Sequence, residues 1–589
     1  MPRQRGHRQG PSGRTRRGAL AFVLAAAALA GASAPAHAQP GLETIVQDDG
    51  SLLDRSPDQV RAAMARLRAL GVDTVRLTAN WSLLTRGPDA RPRPAFDATD
   101  PGAYDQDAWR GLDNAVAAAR QAGLNAMVDI GFWAPLWATT QSQAGRARTN
   151  VDPRAFRDFA VAVVRRYSGS WAVPAPPSGP APAPPPPSAD QQLLDALFGT
   201  PAAQPVAQPP PPPGPLPRVQ RFTLWNEPNQ PGLLLPQWVR APGGPFPQSA
   251  TIYRRMVSAA YPAVKAVRPD TTILVGATAS TGSYRARGPV PPLRFLRALA
   301  CVDAHFQPLR SRDCRHFSPI PGDGWSHHPY APVTRPDLRS PAGEPDNGLV
   351  ADLPKLSATL NRLVAMGRLA PALRGIYSTE FGYETTATPG RAPLSQSQQA
   401  QWITWAEYVS QRVPAVKSFA QFLLRDQPPG SVVVSNTVRP FGQYYTGLER
   451  GDGQPKLAER SFIAGLFAER STRGRVMLWS RLRLGSGPHV IRFERRLGRG
   501  PWRPVSTVAP SLMGPPDVQL TLDGQSSVQR FATLPARTSF RLDYQDASGN
   551  WVAQLPVPVI SALPGSPVPR PAGERAPRPR RQRGRSKTR

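Results

Sequence analysis

Cysteine is almost missing from this sequence. Its 589 residues contain two, Cys301 and Cys314, which excludes a disulfide-rich scaffold. With His316 as a third donor, the two cysteines still fall short of the four ligands of a structural zinc site. Because they are close in the chain, we expect them to form one disulfide that closes a short loop in an oxidising compartment.

The sequence also has no motif for binding DNA or RNA, although its formal net charge is +32. Residues 1–38 carry +6 of that charge and residues 566–589 carry +8, which leaves +18 for the rest. Only five of the 72 basic residues are lysine, a bias typical of a GC-rich genome. We therefore expect no nucleic-acid partner, and a disordered basic tail over 566–589 that holds the protein near anionic cell-wall polymers.

Long apolar runs are scarce too, and the run from Ala19 to Ala30 is too short to span a bilayer comfortably. It follows six arginines and precedes Ala36-His37-Ala38, a small-x-small cleavage pattern. We predict a signal peptide over residues 1–38 and a secreted, extracellular protein with no membrane attachment after cleavage. An uncleaved membrane anchor is the alternative, and Arg16-Arg17 weakly indicates twin-arginine export.

Proline, in contrast, is abundant, with 72 residues where average usage predicts about 5% of the chain. Residues 172–217 concentrate proline and alanine around one apolar patch at 193–198. Such a segment cannot bury a core. We predict a disordered Pro-rich insertion that serves as a spacer or reaches toward the cell wall or a partner.

Between residues 42 and 468, short apolar runs alternate with helical patterns. The eight runs begin at residues 44, 72, 126, 222, 272, 325, 375 and 416. They predict an α/β fold of the (β/α)8 TIM-barrel type, ending in a helix near Leu457 to Phe467. An open doubly wound sheet also alternates, but no Gly-rich phosphate loop supports a nucleotide fold.

From about residue 472 the pattern changes to strands alone. Residues 490–494 and 540–544 alternate apolar and polar side chains, and turn residues separate the runs. We predict a small C-terminal β-sandwich over residues 472–560.

Two acids follow strands of the predicted barrel. Glu227 comes just after the fourth apolar run, in Trp225-Asn226-Glu227-Pro228-Asn229, and Glu380 ends the seventh. The carboxyl ends of barrel strands meet on one face, where paired carboxyl groups can cleave a glycosidic bond. The alternative is that both are surface-loop acids.

These motifs resemble the clan of retaining (β/α)8 glycoside hydrolases that contains families 5 and 39, over residues 42–468. The resemblance implies that Glu227 is the acid/base and Glu380 the nucleophile. It also implies that Asn226 bonds the sugar 2-hydroxyl, and that no metal or organic cofactor takes part.

Further positions resemble substrate-site residues of the clan. Arg76 is expected to pair with the nucleophile, although a barrel-end salt bridge without a catalytic role is the alternative. His328 and Tyr330 are expected at the sugar site, and His327 is the alternative imidazole because neighbours on a strand point to opposite sides. Trp81 and Trp133, together with Trp137, are expected to stack on sugar rings or to pack in the core.

Two departures from the clan pattern affect the expected substrate. The eighth strand carries no Trp in residues 421–426, and the third strand has Asp129 and Phe132 where the clan often has a His. We therefore predict a secreted retaining glycoside hydrolase that acts on an oligosaccharide or polysaccharide whose sugar is not specified. A non-catalytic carbohydrate-binding protein, a cell-wall-associated structural protein and a transglycosylase are the alternatives.

Overall fold

The computed structural model describes most of the chain. The described residues are 39–173, 187–192, 214–241, 244–284, 288–332, 334–385, 393–427, 444–470, 475–505, 517–533 and 537–561. The predicted signal peptide (1–38), most of the Pro-rich insertion (172–217) and the basic tail (566–589) lie outside them, so the statements about those segments stay predictions.

Eight parallel strands close into a barrel, and each strand pairs with the strands before and after it in the barrel sequence. In chain order the strands are Glu43–Gln47, Thr74–Asn80, Asn125–Gly131, Arg221–Leu224, Thr272–Ala279, Gly324–His328, Ile376–Ser378 and Val416–Phe422. All eight predicted apolar runs overlap these strands. The predicted (β/α)8 barrel is confirmed.

A helix follows each barrel strand. The helix Pro57–Ala69 begins with a capping box. The Ser56 hydroxyl accepts from the Gln59 backbone, and the Gln59 side chain accepts from the Ser56 backbone. Its apolar side, which includes Val60 and Met64, is buried. The α-helices are Asp49–Leu52, Pro57–Ala69, Trp81–Leu84, Gln106–Gln121, Pro153–Arg166, Gln248–Val267, Pro292–Leu299, Leu353–Ala365, Gln396–Gln411 and Leu457–Ile463.

Shorter elements connect these helices and strands. The 3₁₀ turns are Pro101–Ala103, Leu136–Ala138, Arg312–Cys314, Val350–Asp352 and Pro371–Arg374, and a hairpin pairs Trp238–Ala241 with Gly244–Pro247. None of the helices in the described ranges combines the length and the apolar character needed to cross a membrane.

The C-terminal part is a separate β-rich domain with its own apolar core. The β-rich C-terminal domain predicted from the sequence is confirmed, and its strands are joined in one hydrogen-bonded sheet. The strands are Gln39–Pro40, Ala464–Arg470, Arg475–Leu497, Arg503–Pro504, Asp517–Thr533, Thr538–Gln545, Trp551–Ala553 and Val557–Ser561.

The predicted helix from Leu457 to Phe467 is wrong in its second half. The helix ends at Ile463, and Ala464–Arg470 is a strand of the C-terminal sheet, which crosses the predicted boundary between residues 468 and 472. Phe467 stacks on Trp405 and Tyr408 of a barrel helix, with ring centroids 5.4 and 4.6 Å apart. Packing and strand pairing outweigh the local helical pattern here.

Buried charges join the C-terminal sheet to the barrel. Arg483 donates to Glu407 at 2.7 Å and to the hydroxyl of Thr44, in the first barrel strand, at 3.1 Å. Arg481 lies 3.1 Å from the same Glu407 carboxylate, and the Thr44 hydroxyl donates to Gln525 at 2.5 Å. Because the glutamate and both arginines are buried, a substitution that removes Glu407 would leave both guanidinium groups without this carboxylate in a site shielded from water.

The predicted disulfide is present. Cys301 and Cys314 are bonded, with Cα atoms 5.6 Å apart. Both cysteines are buried beside the helix Pro292–Leu299.

Candidate active site

The two candidate carboxylates meet at the carboxyl-end face of the barrel. Glu227 follows the fourth strand, Arg221–Leu224, and Glu380 follows the seventh, Ile376–Ser378. One oxygen of each carboxylate and one ring nitrogen of His328 all lie within 4.8 Å of one another. The barrel therefore brings together two acids that are far apart in the sequence.

The segment from Trp225 to Asn229 fixes Glu227 by contacts on both sides. Trp225 is fully buried, and its indole nitrogen donates to a backbone carbonyl at 3.2 Å. The carboxamide of Asn229 accepts from the Ala279 backbone at 2.9 Å and donates to two backbone carbonyls. The backbone nitrogen of Glu227 donates to the carbonyl of Ala277 at 2.9 Å. The motif thus ties the loop after strand four to the end of strand five.

Glu380 contacts three polar side chains. One oxygen accepts from Arg76 at 2.5 Å. The other accepts from the Tyr330 hydroxyl at 3.2 Å and lies 3.6 Å from the ring of His328. The guanidinium and the phenol both stabilise the ionised carboxylate.

Arg76 lies in the second strand and is entirely buried. The nitrogen that reaches Glu380 also donates to the side chain of Gln47. Its other terminal nitrogen donates to Asn226 Oδ1 at 2.9 Å and lies 3.0 Å from Asp129 Oδ1. Arg76 therefore connects the predicted nucleophile with the asparagine before the predicted acid.

The two adjacent histidines of the sixth strand have different surroundings. The Nδ1 atom of His328 lies 2.9 Å from Glu227. The ring of His327 contacts the Thr278 hydroxyl at 2.8 Å and the Gly348 carbonyl at 2.7 Å. Of the two imidazoles left open by the sequence, the structure brings His328 to the carboxylates.

The two carboxyl groups have different electrostatic surroundings. Burial raises the pKa of Glu227 to about 7, with Asp129 adding to the rise and Arg76 opposing it. Burial raises the pKa of Glu380 as well, but His328 and Arg76 oppose that rise. Only Glu380 accepts hydrogen bonds from a guanidinium and a phenol, so a single shared proton resides preferentially on Glu227.

Strained backbone is concentrated around this face. Non-glycine residues with positive φ occur at the ends of strands three, four, five and eight: Phe132 (82°), Trp225 (66°), Glu227 (38°), Ala277 (41°) and Leu423 (73°). Such conformations cost free energy, and they are common at functional sites where the surrounding structure holds them in place.

Two tryptophans predicted to stack on sugars do not line the site. Trp81 is fully buried, and its ring stacks on Phe159 with centroids 5.3 Å apart. Trp133 is also fully buried and donates to the carbonyl of Gly232 at 3.1 Å. Both pack in the core, which was the alternative, because a ring without exposed surface cannot bind a ligand. Trp137 is only partly buried, but it packs edge-on against Trp81.

The end of the eighth strand carries an aromatic ring even though it lacks a tryptophan. Phe422 is half-buried, and its ring meets Tyr330 and Tyr444 edge-on, with centroids 6.5 and 5.3 Å apart. Sequence reasoning missed this residue, together with Gln47 and the contact between Asp129 and Arg76. Their positions at the ends of strands one, three and eight were the signal available.

The same cluster offers donors to a cation, since Glu227, His328 and Glu380 each supply a ligand atom. However, the Arg76 guanidinium already contacts Glu380 at 2.5 Å. A second positive charge there would be repelled. The arrangement fits a pair of carboxyl groups that exchange protons better than it fits a metal centre.

No protein-family model matches the sequence, and no curated protein matches it. Glycoside hydrolases are among the solved structures with a similar fold. A family 39 glycoside hydrolase from the gut symbiont Bacteroides cellulosilyticus WH2 is 15% identical, covers 84% of this chain and 81% of its own, and has a TM-score of 0.44. GH5_18 from Bifidobacterium longum subsp. longum is 14% identical, with coverages of 72% and 78% and a TM-score of 0.37.

A third structure is the exo-beta-1,4-mannosidase Op5Man5 from Opitutaceae bacterium strain TAV5, at 16% identity and a TM-score of 0.36, with coverages of 72% and 58%. Families 5 and 39 are those to which the sequence motifs show a resemblance. Identities and TM-scores this low assign no activity or substrate to this chain. The fold itself is an eight-stranded (β/α)8 barrel followed by a β-rich domain.

Proposed function

We propose that this protein is a retaining O-glycoside hydrolase in which Glu380 is the nucleophile and Glu227 the acid/base. The observation that carries the proposal is that one oxygen of Glu227 and one oxygen of Glu380 lie within 4.8 Å of each other at the carboxyl-end face of the barrel. Retaining enzymes hold the two carboxyl groups about 5–5.5 Å apart, whereas inverting enzymes leave roughly 6.5–9.5 Å for a water molecule.

In the first step, the Glu380 carboxylate attacks the anomeric carbon while Glu227 gives its proton to the departing glycosidic oxygen. The products are a glycosyl ester on Glu380, a released alcohol and an ionised Glu227. In the second step, Glu227 takes a proton from a water molecule that attacks the same carbon. This releases the sugar and restores both carboxyl groups.

The neighbouring side chains support these roles. Arg76 and Tyr330 stabilise the charge of Glu380 before the attack. His328 contacts Glu227 at 2.9 Å, and burial lowers the pKa of His328 to about 4. A neutral imidazole can accept the hydrogen bond of the protonated acid.

The sequence carries the remaining parts of the proposal. The signal-peptide pattern of residues 1–38 supports export, and the basic tail supports attachment to anionic cell-wall polymers. The substrate is an oligosaccharide or polysaccharide, and a transglycosylase would use the same two glutamates.

The test is hydrolysis of a panel of aryl glycosides and polysaccharides by the mature protein, with the anomeric configuration of the first product followed by NMR. We expect activity with net retention, no turnover in Glu380→Gly, and recovery with azide, which replaces the missing nucleophile. Inverted product, or full activity in Glu380→Gly, would overturn the mechanism. Binding without cleavage across the panel would favour a non-catalytic carbohydrate-binding protein.

A further inference from the structure

Asp129 is a buried acid that the two-carboxylate mechanism does not use. It lies in the third barrel strand, Asn125–Gly131, and its side chain is 1% exposed. One oxygen accepts from the Thr223 hydroxyl and lies 3.0 Å from Arg76. The other oxygen is buried and has no hydrogen-bond partner among the residues that the structure describes. Arg76 is thus the cation that pairs with this carboxylate.

Arg76 is shared between two acids. One terminal nitrogen contacts Glu380 at 2.5 Å, and the other contacts Asp129 at 3.0 Å and Asn226 at 2.9 Å. Without the charge of Asp129, the full positive charge of the guanidinium would act on Glu380 and on the neighbouring Glu227. The negative charge of Asp129 therefore offsets part of the positive charge of Arg76.

We propose that Asp129 is a positioning residue for the reaction, which holds the Arg76 guanidinium between the second and third strands and by its fixed charge keeps the proton on Glu227. This inference rests on the proposed function, because it assigns a role within the same site. Asp129 does not touch the reacting atoms in this role and acts through Arg76 and Glu227.

The electrostatic effects on Glu227 agree in sign. Asp129 raises the pKa of Glu227 and Arg76 lowers it. Removing the negative charge also leaves Arg76 with Glu380 as its remaining ion-pair partner, so both consequences of a neutral residue at position 129 lower that pKa. The other titratable or charged groups that face this cluster come from several elements: Asp49 after the first strand, His328 in the sixth, Tyr330 and Glu380 after the sixth and seventh, and Tyr253 in the helix Gln248–Val267.

The test is the pH dependence of kcat/KM in Asp129→Asn, which keeps the volume and the acceptor oxygen but removes the charge. The alkaline limb reports loss of the Glu227 proton. We expect this limb to move to lower pH by about one unit. An unchanged alkaline limb in a folded Asp129→Asn protein would overturn the proposal.

The matched control is Asp113→Asn. Asp113 and Arg166 form an equally buried ion pair, at 2.5 Å, between the helices Gln106–Gln121 and Pro153–Arg166 outside the barrel strands. This variant should lose stability to a comparable extent and leave the pH profile unmoved. If the alkaline limb of kcat/KM moved equally in both variants, the shift would follow from a general loss of stability and the proposal would be overturned.

A second readout needs no substrate. The infrared carbonyl band of the protonated Glu227 carboxyl, identified by its loss in Glu227→Gln, can be titrated in the wild-type protein and in Asp129→Asn. A lower midpoint in Asp129→Asn supports the inference even if the wild type cleaves no glycoside, in which case the proposed function alone fails. If Asp129→Asn does not fold, Asp129→Ser is titrated in the same way, and an unchanged midpoint overturns the proposal.

Discussion

His328 and His327 are neighbours on the sixth barrel strand, and their imidazoles lie on opposite sides of the sheet. His328 contacts Glu227 at 2.9 Å, whereas both ring nitrogens of His327 are taken up by Thr278 and Gly348. The alternation of side chains along a strand separates the two rings completely.

We therefore expect opposite effects from two alanine substitutions at these positions. His328→Ala should lower kcat by about 100-fold, because Glu227, the proposed acid/base, loses its partner. His327→Ala should leave kcat of the folded enzyme nearly unchanged but cost about 2–4 kcal/mol of unfolding free energy, through a cavity and two unpaired polar groups. Steady-state kinetics and urea unfolding of both variants check this, and a large loss of kcat in His327→Ala would contradict it.

A second prediction concerns stability against pH. Burial raises the pKa of Glu227 from 4.5 to about 7, so the folded state binds this proton more tightly than the unfolded chain does. The resulting stabilisation is fully present below about pH 4.5 and is lost as the pH rises through about 7, an effect of about 3 kcal/mol. Glutamine does not titrate. Glu227→Gln should therefore match the wild type at pH 4.5 and exceed its unfolding free energy at pH 8.

Urea unfolding at the two pH values measures this difference. The control is Asp58→Asn, whose side chain is 88% exposed and which should change stability equally little at both pH values. If the unfolding free energies of Glu227→Gln and the wild type differed by the same amount at both pH values, the raised pKa of Glu227 would be contradicted.

A third prediction separates core aromatics from site aromatics. Trp81→Leu should lower the unfolding free energy by about 3 kcal/mol, because it opens a cavity among Phe156, Phe159 and Trp137. KM of the folded protein should not change. Phe422→Leu is the matched variant, because the ring is half-buried beside Tyr330, and it should raise KM with a smaller loss of stability. A raised KM in Trp81→Leu would place that ring in the substrate site after all.

A fourth prediction concerns the disulfide. Cys301 and Cys314 are separated by 13 positions in the chain, and a loop of that size contributes about 3 kcal/mol when it is closed. The double variant Cys301→Ala/Cys314→Ala should have an unfolding free energy lower by that amount, measured by urea unfolding, with unchanged kcat. The wild type unfolded in the presence of a reductant should coincide with the double variant, and a persistent difference between the two would assign the effect to the side chains instead.

The sequence was sufficient for the barrel and for its two acids. Strand and helix periods differ, so eight apolar runs could be counted, and the count placed Glu227 and Glu380 on one face. The sequence could not decide whether Trp81 and Trp133 stack on a sugar or pack in the core. An aromatic residue near a strand end has the same sequence pattern in both cases. The contact between Arg76 and Asp129 depends on the register of strands two and three, which no local pattern encodes.

The short strand Gln39–Pro40 pairs with Ser526 and Ser527 at the edge of the C-terminal sheet. The residues directly before the first barrel strand are therefore held by a segment that lies far later in the chain. Contacts across such a long stretch of chain form slowly during folding. In a nascent chain, Gln39–Pro40 therefore has no partner strand until the C-terminal sheet has been synthesised, so this pairing can form only after all eight barrel strands have been made.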